Sequence, residues 1–192
     1  MGESAIKKIN KLGLISGRLT KIMRVLGTIA IIILILAGIC TLINPEIFIE
    51  AWDVKFNGKT FTLPEVDGFD ITENMIFTTG SFIIHMIAMI VHLIVATVTV
   101  YHFEQLCYAF SKCTSPFEEN VIQKIKCFSI FFLAFFIFSI IRGVVSTTVL
   151  TGSIAHSLDF SFWDIAMVVI IELLLYIFKY GAVLQRESDE TL

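Results

Sequence analysis

Charged side chains are scarce in this sequence, and proline is scarcer still. Aspartate, glutamate, lysine and arginine make up 16% of the 192 residues, and there are three prolines. Soluble domains carry about 25% charged residues, whereas 56% of this chain is hydrophobic. The composition indicates a membrane protein and leaves no room for a separate soluble catalytic domain.

The motifs that catalysis and metal binding require are also missing. The sequence contains no G-x-S-x-G, no P-loop, no H-E-x-x-H and no phosphate-cradling glycines. Four cysteines, Cys40, Cys107, Cys113 and Cys127, lack the paired spacing of a metal or disulfide framework. We therefore expect no enzymatic activity, no cofactor and no metal. The basic N-terminus lacks an aromatic–basic pattern, so direct binding to nucleic acid is not expected either.

Long hydrophobic runs are what the sequence has in abundance. A transmembrane helix needs about 20 apolar residues. Four runs meet this length, at about residues 25–43, 81–103, 128–150 and 163–184. We predict an all-α membrane protein in which residues 1–192 form a single integral membrane domain, a four-helix transmembrane bundle.

Lysine and arginine are distributed unevenly between the polar segments. They are dense in residues 1–24, present in 104–126 and at the C-terminal end, sparse in 44–79 and absent from 151–162. Because cytoplasmic loops carry the excess of these residues, we predict a multi-pass protein with both termini in the cytoplasm.

Residues 1–24 combine basic residues with apolar residues at helical spacing. This pattern is typical of an interfacial helix on an anionic leaflet. Two interpretations stay open at this point: a helix that docks a partner, or a basic flank that sets the orientation of the first span.

The outer loop, residues 44–79, contains a hairpin signal. Alternating segments 51–56 and 59–63 flank Asn57-Gly58, and both positions of such a turn require positive φ. We predict a small extracytoplasmic β-hairpin that rests Trp52, Val54, Phe56 and Phe61 on the bundle or the membrane interface. A ligand-sensing hairpin is the alternative.

Four ionisable residues lie within the predicted spans: His85, His92, Arg142 and Glu172. A charge at the bilayer centre costs about 2.5–3.5 kcal/mol. Arg142 and Glu172 fall at similar depths, so we predict that they pair inside the bundle with His92 close by. Such a pair would either stabilise the bundle or act as a functional switch. The alternative is that Arg142 does not pair and extends its side chain outward to the membrane interface. His-x6-His is a weak metal signal, and span histidines more often hydrogen-bond a neighbouring helix.

The connector between spans two and three contains a helix-start pattern: Ser115, Pro116, Phe117, Glu118, Glu119 and Asn120. A serine cap, a proline at the first helical position and carboxylates near the positive helix end form this pattern, and Glu118 completes a capping box. A cytoplasmic partner would dock here; alternatively, the motif only starts the third span.

Two segments resemble one known family. Residues 115–125, Ser-Pro-Phe-Glu-Glu-Asn-Val-Ile-Gln-Lys-Ile, are similar to an element of bacterial four-span proteins, domain-of-unknown-function family 2975, and residues 178–192 resemble its closing motif. The resemblance implies a bacterial plasma-membrane protein with no established chemistry. It also implies a candidate partner, because some members are encoded beside a small helix-turn-helix regulator of the Xre type.

We therefore predict a regulatory or binding protein, embedded in the lipid bilayer, that engages a small cytoplasmic partner. The alternative is a subunit of a transporter or permeation pathway that uses Arg142, Glu172, His85 and His92. Four spans make a poor pore alone, so the transport hypothesis requires a homo-oligomer.

Overall fold

The computed structural model describes residues 2–43, 55–56, 59–60, 79–151 and 162–190. Its helices are α1 (Gly2–Ile43), α2 (Thr79–Lys112), α3 (Glu119–Thr151) and α4 (Phe162–Glu190). Two short strands, β1 (Lys55–Phe56) and β2 (Lys59–Thr60), lie between α1 and α2 in the chain.

All four helices contain a stretch long and apolar enough to cross a membrane. These stretches are Ser4–Cys40, Ile83–Lys112, Glu119–Val149 and Ile165–Ser188. Large hydrophobic side chains are exposed along every helix, as expected for surfaces that face lipid rather than water. The prediction of a membrane protein built on four apolar helices is confirmed.

The helices are longer than the hydrophobic runs that predicted them. α1 begins at Gly2 rather than Val25, α2 ends at Lys112 rather than Phe103, and α3 begins at Glu119 rather than Phe128. With 42 residues, α1 is about 63 Å long, twice the roughly 30 Å of a hydrocarbon core. A hydrophobic run predicts only the part of a helix that is apolar enough to cross lipid. Charged residues can continue the same helix in water, so the helix extends beyond the run.

The chain forms two compact units. The first comprises Met1–Ile29, His92–Ile140 and Phe160–Leu192, and the second comprises Ala30–Val91 and Ile141–Asp159. The connector between α2 and α3 belongs to the first unit. The polar residues of the second unit include His85 and Arg142.

The best-buried apolar side chains of the first unit lie around the connector. Val121 is fully buried, and Cys113 and Ile125 are nearly so. The cluster consists of Leu106, Ala109, Cys113, Val121, Ile125 and Leu175, with Ile9, Phe110, Ile122, Phe128 and Phe178 packed against it. This end of the unit therefore has a core of the kind found in water-soluble proteins.

Small and polar residues join α1 to α2. The inner seam of α1 consists of Asn10, Gly13, Gly17, Thr20, Arg24 and Gly27, which alternate in spacings of three and four. A Cβ at Gly13 would lie 2.7 Å from the carbonyl oxygen of Cys107, and one at Gly27 would lie 2.8 Å from Thr97 Oγ1. Only glycine permits this approach, as in the small-residue seams of membrane helices.

The inner seam corrects the prediction of an interfacial helix in residues 1–24. These residues continue α1 without a break into the first span, and Gly13, Gly17 and Thr20 are buried. The physical reason is that the glycines bring the backbones of α1 and α2 together, so that this face packs on protein. The lysines and arginines between the apolar positions suggested a membrane-surface helix because all of them except Arg24 are exposed.

The two strands occupy the positions predicted for the hairpin. They pair antiparallel, with Lys55 opposite Thr60 and Phe56 opposite Lys59. The turn residues Asn57 and Gly58 and the remainder of the loop lie outside the described residues. The full hairpin, its packing and its extracytoplasmic position therefore stay predictions.

Candidate functional site

The connector between α2 and α3, residues 113–118, makes a tight turn. The amide of Glu118 donates to the carbonyl of Ser115 at 3.3 Å, and the amide of Phe117 donates to Ser115 Oγ at 3.2 Å. Pro116 and Phe117 lie in this turn, and α3 begins at Glu119. Ser115 thus makes the hydrogen bonds predicted for a cap, but they close a turn, and the helix itself starts later than predicted, at Glu119.

The carboxylate of Glu118 organises the turn. Its Oε1 accepts hydrogen bonds from the amide and hydroxyl of Thr114, both at 2.6 Å, and from the amide of Ser115 at 3.1 Å. The bond to Ser115 is the backward bond of the predicted capping box. These donors, Thr114 first, hold the pKa of Glu118 below its ordinary value, because they stabilise the charged form.

The start of the connector is fastened to α1. Asn10 Nδ2 donates to the carbonyl oxygen of Cys113 at 3.3 Å, and Cys113 Sγ donates to Asn10 Oδ1 at 3.8 Å. Burial, followed by the negative charge of Glu118, raises the pKa of the Cys113 thiol. The raised pKa disfavours the reactive thiolate form, and Cys113 is buried in the apolar cluster.

The middle of the connector is fastened to α4. Ser115 Oγ donates to Gln185 Oε1 at 2.7 Å. The ring of Phe117 lies 5.7 Å from that of Phe178, and a Cβ at Gly181 would overlap it. Because Gly181 has no side chain, the ring of Phe117 packs directly against it. This packing and the Ser115–Gln185 hydrogen bond hold the connector against α4.

An open groove of about 340 Å³ lies between the connector and the end of α4. It is lined by Thr114, Ser115, Phe117, Glu118, Ala182, Gln185, Arg186 and Glu190. The guanidinium of Arg186 donates to Glu190 at 3.0 Å on the exposed side. The groove thus offers hydroxyls, an amide, a paired cation and the edge of an aromatic ring.

The structure places three of the six predicted docking residues, Ser115, Phe117 and Glu118, in the groove wall. Pro116 lies in the turn, and Glu119 and Asn120 are exposed in the first turn of α3, outside the lining. The opposite wall, Gln185, Arg186 and Glu190, belongs to the C-terminal segment that the sequence had singled out for its resemblance, although none of these three residues was predicted individually.

In the second unit, two of the predicted intramembrane residues contact neighbours. His85 Nδ1 lies 2.9 Å from Ser146 Oγ, and Arg142 Nη1 lies 3.5 Å from Met89 Sδ. Arg142 Nε is buried and has no acceptor among the described residues. The prediction that a span histidine hydrogen-bonds a neighbouring helix holds for His85.

In the first unit, Ser129 Oγ donates to the carboxylate of Glu172. The ring of His92 lies 5.1 Å from that of Phe135. Arg142 and Glu172 each have a contact within their own unit, and their predicted pairing across the two units stays a prediction.

An ion pair of the first unit, between Arg24 and Glu104, was not predicted from the sequence. Arg24 Nε lies 2.7 Å from Glu104 Oε2, and the Glu104 side chain is only 5% exposed. The guanidinium also lies over the Tyr101 ring, at 5.7 Å from its centroid. The sequence did contain a signal for this pair: Arg24 directly precedes the first hydrophobic run and Glu104 directly follows the second. Opposite charges at the same depth are able to pair.

No group of three or more potential metal-ligating side chains occurs among the described residues. Comparison of the chain with protein-family models, with curated proteins and with solved structures found no match. The function is therefore argued from the groove and its surroundings.

Proposed function

We propose that this protein is a membrane-embedded regulatory protein whose groove binds a segment of a small cytoplasmic partner. The observation that supports the proposal is the groove between the connector and the end of α4. Its walls are held by the bonds from Glu118 and by the Ser115–Gln185 hydrogen bond. A preorganised wall lowers the entropic cost of binding.

The residues that line the groove indicate that the bound segment of the partner is short and polar, with one apolar side chain that contacts Phe117. Thr114 and Gln185 are exposed and offer hydrogen bonds, and the edge of Phe117 offers an apolar contact. Arg186 and Glu190 pair on the surface, with side chains 82% and 66% exposed, so either charge is available to an incoming group at little cost.

Both walls continue directly into apolar helices. The connector joins α2 to α3, and Gln185 and Arg186 lie at the C-terminal end of the apolar stretch of α4. A displacement of α4 within the first unit therefore changes the width of the groove. This geometry supports a protein that holds a partner and releases it when the lipid or the outer loop changes.

The motif resemblance supports a bacterial plasma membrane and a helix-turn-helix regulator of the Xre type as the partner. The distribution of lysine and arginine supports cytoplasmic termini, a cytoplasmic groove and an outer hairpin.

Co-purification tests the proposal. We compare the wild-type chain, Arg186→Ala and the matched control Lys126→Ala, which removes an exposed cation of α3 that is outside the groove lining. The expected result is that Arg186→Ala reduces recovery of a small cytoplasmic protein and that Lys126→Ala does not. Arg186 contacts only Glu190 in the described structure, so its loss leaves the fold intact.

Equal recovery with Arg186→Ala, Gln185→Ala and wild type would exclude the groove as the docking site. Phe117→Ala is less informative, because Phe117 also packs on Phe178 and Gly181.

Transport is the second candidate, and Arg142 is the observation that favours it. Its Nε is buried without a described acceptor, and the Nη1 contact is to a thioether, which is a weak acceptor. Ionisable groups in spans mark ion or substrate pathways. Flux of small ions in liposomes that is lost with Arg142→Leu would favour this candidate over the regulatory protein.

A further inference from the structure

α1 carries a second seam, on the side opposite α2. Leu12, Ile15, Leu19, Ile22, Leu26 and Ile29 alternate in spacings of three and four, and the repeat continues through Ile33 and Leu36. We call these eight residues the outer seam. At 3.6 residues per turn, its centre lies about 150° around the helix from the inner seam.

The outer seam is exposed along its whole length. Its residues are between 46% and 63% exposed, against complete or near burial for Gly13, Gly17 and Thr20 on the inner seam. The described neighbours of α1 therefore leave this face open.

The N-terminal half of the outer seam differs from the C-terminal half because exposed cations accompany it. On α2, the exposed large apolar residues end at Phe103, next to Glu104, which pairs with Arg24, whereas on α4 they continue to Leu184. Leu12 lies twelve residues before Arg24, about 18 Å further along α1. Exposed cations, Arg18 and Lys21, accompany Leu12 and Leu19 on this stretch, and exposed cations avoid hydrocarbon.

We propose that the outer seam binds the outer seam of further copies of this chain, in parallel, as a coiled coil. A 3-4 repeat of apolar residues sustained over four heptads is the sequence pattern of such a seam. In heptad positions, leucine occupies the first three a positions and isoleucine the first three d positions. Leucine at a with isoleucine at d favours assemblies of three or four strands over two.

Membrane insertion and charge both fit a parallel arrangement. Every copy inserts in the same orientation, because the same lysines and arginines direct it. The basic g positions Lys11 and Arg18 would lie opposite Ser16 and Met23 at the e positions of the next copy. No like charges then face each other across the seam.

The area is smaller than that of a standard interface and reaches the lower limit for a specific one, about 1,000 Å² in total for two copies. Covering the exposed parts of the eight side chains removes on the order of 500 Å² per copy, if full burial of a leucine removes roughly 100 Å². A standard interface buries about 800 Å² per partner. The stems of Lys11 and Arg18 and the side chain of Met23 flank the seam and add to this area.

Disulfide trapping of the purified full-length chain in liposomes tests the proposal. Leu19→Cys lies on the outer seam, whereas Leu14→Cys is an exposed leucine on the same helix but off the seam. Because a disulfide needs two Cα atoms within about 7 Å, we expect about tenfold more covalent dimer from Leu19→Cys than from Leu14→Cys. Equal yields from the two variants would overturn the proposal.

Counting subunits by single-molecule photobleaching gives a second measurement. We expect several bleaching steps for wild type and for Leu14→Gln, and one step for the double variant Leu19→Gln, Ile22→Gln. Both seam residues are exposed, so the double variant keeps the fold, which protection of the buried Cys107 and Cys113 thiols verifies. A single bleaching step for wild type would refute the proposal. If a lipid with a photoactivatable acyl chain cross-links to Leu19 and no second copy of the chain does, the face contacts lipid, and the proposal is refuted as well.

Discussion

The ion pair between Arg24 and Glu104 allows a sharp test of how α1 is held on α2. Arg24→Leu removes the only partner that the described structure gives to the buried Glu104 carboxylate. Breaking a buried pair by removing one member costs roughly 3–5 kcal/mol. Because the Arg24 side chain is 33% exposed, we expect the lower end, about 3 kcal/mol.

Removal of the acid should cost less than removal of the base. In Glu104→Leu, the guanidinium of Arg24 is left a third exposed and still over the Tyr101 ring, so we expect a loss of about 1–2 kcal/mol. The double variant leaves no buried charge. It should lose about 2 kcal/mol less than the sum of the single losses.

Cys107 provides the assay. It lies one turn beyond Glu104 on α2 and is buried. With the exposed Cys40 and the half-buried Cys127 replaced by serine, a thiol-reactive fluorophore reports the exposure of the buried thiols, Cys107 and Cys113, on heating in detergent. On the scale of soluble domains of this size, a loss of 3 kcal/mol lowers Tm by about 6–12 °C. Strictly additive losses in the double variant would show that the charges do not interact and would refute the argument.

Three further predictions follow from the fold. In intact cells, Asn57→Cys should react with a membrane-impermeant maleimide and Ser188→Cys should not, because the distribution of lysine and arginine predicts cytoplasmic termini; the reverse pattern would contradict the predicted topology. Gly13→Ala should lower thermal stability by about 1–3 kcal/mol, since its Cβ would lie 2.7 Å from a carbonyl oxygen, whereas Gly38→Ala, with open space around it, should be neutral or stabilising. The depressed pKa of Glu118 means that its contribution to stability is present above the ordinary value of 4.5 and is lost as pH falls below it; thermal unfolding from pH 7 to 3 should therefore show a smaller decline for Glu118→Gln than for wild type, and equal declines would exclude this role.

The sequence alone determined the class of the protein and the number of its apolar helices. Runs of about 20 apolar residues are stable in few other environments, and nothing in the tertiary structure was needed to recognise them. The capping-box bond from the amide of Ser115 to the carboxylate of Glu118 is likewise local.

Only the tertiary structure decided which side chains meet. The sequence placed Arg24 at a basic flank and left Glu104 unremarked, and their pairing depends on the close approach of α1 and α2 at Gly13 and Gly17. The groove joins residues about 70 positions apart, Ser115 and Gln185, and no local pattern encodes such a contact. Hydropathy measures how each residue interacts with solvent, whereas the face that a helix presents to its neighbour is set by packing, which is a property of the whole fold.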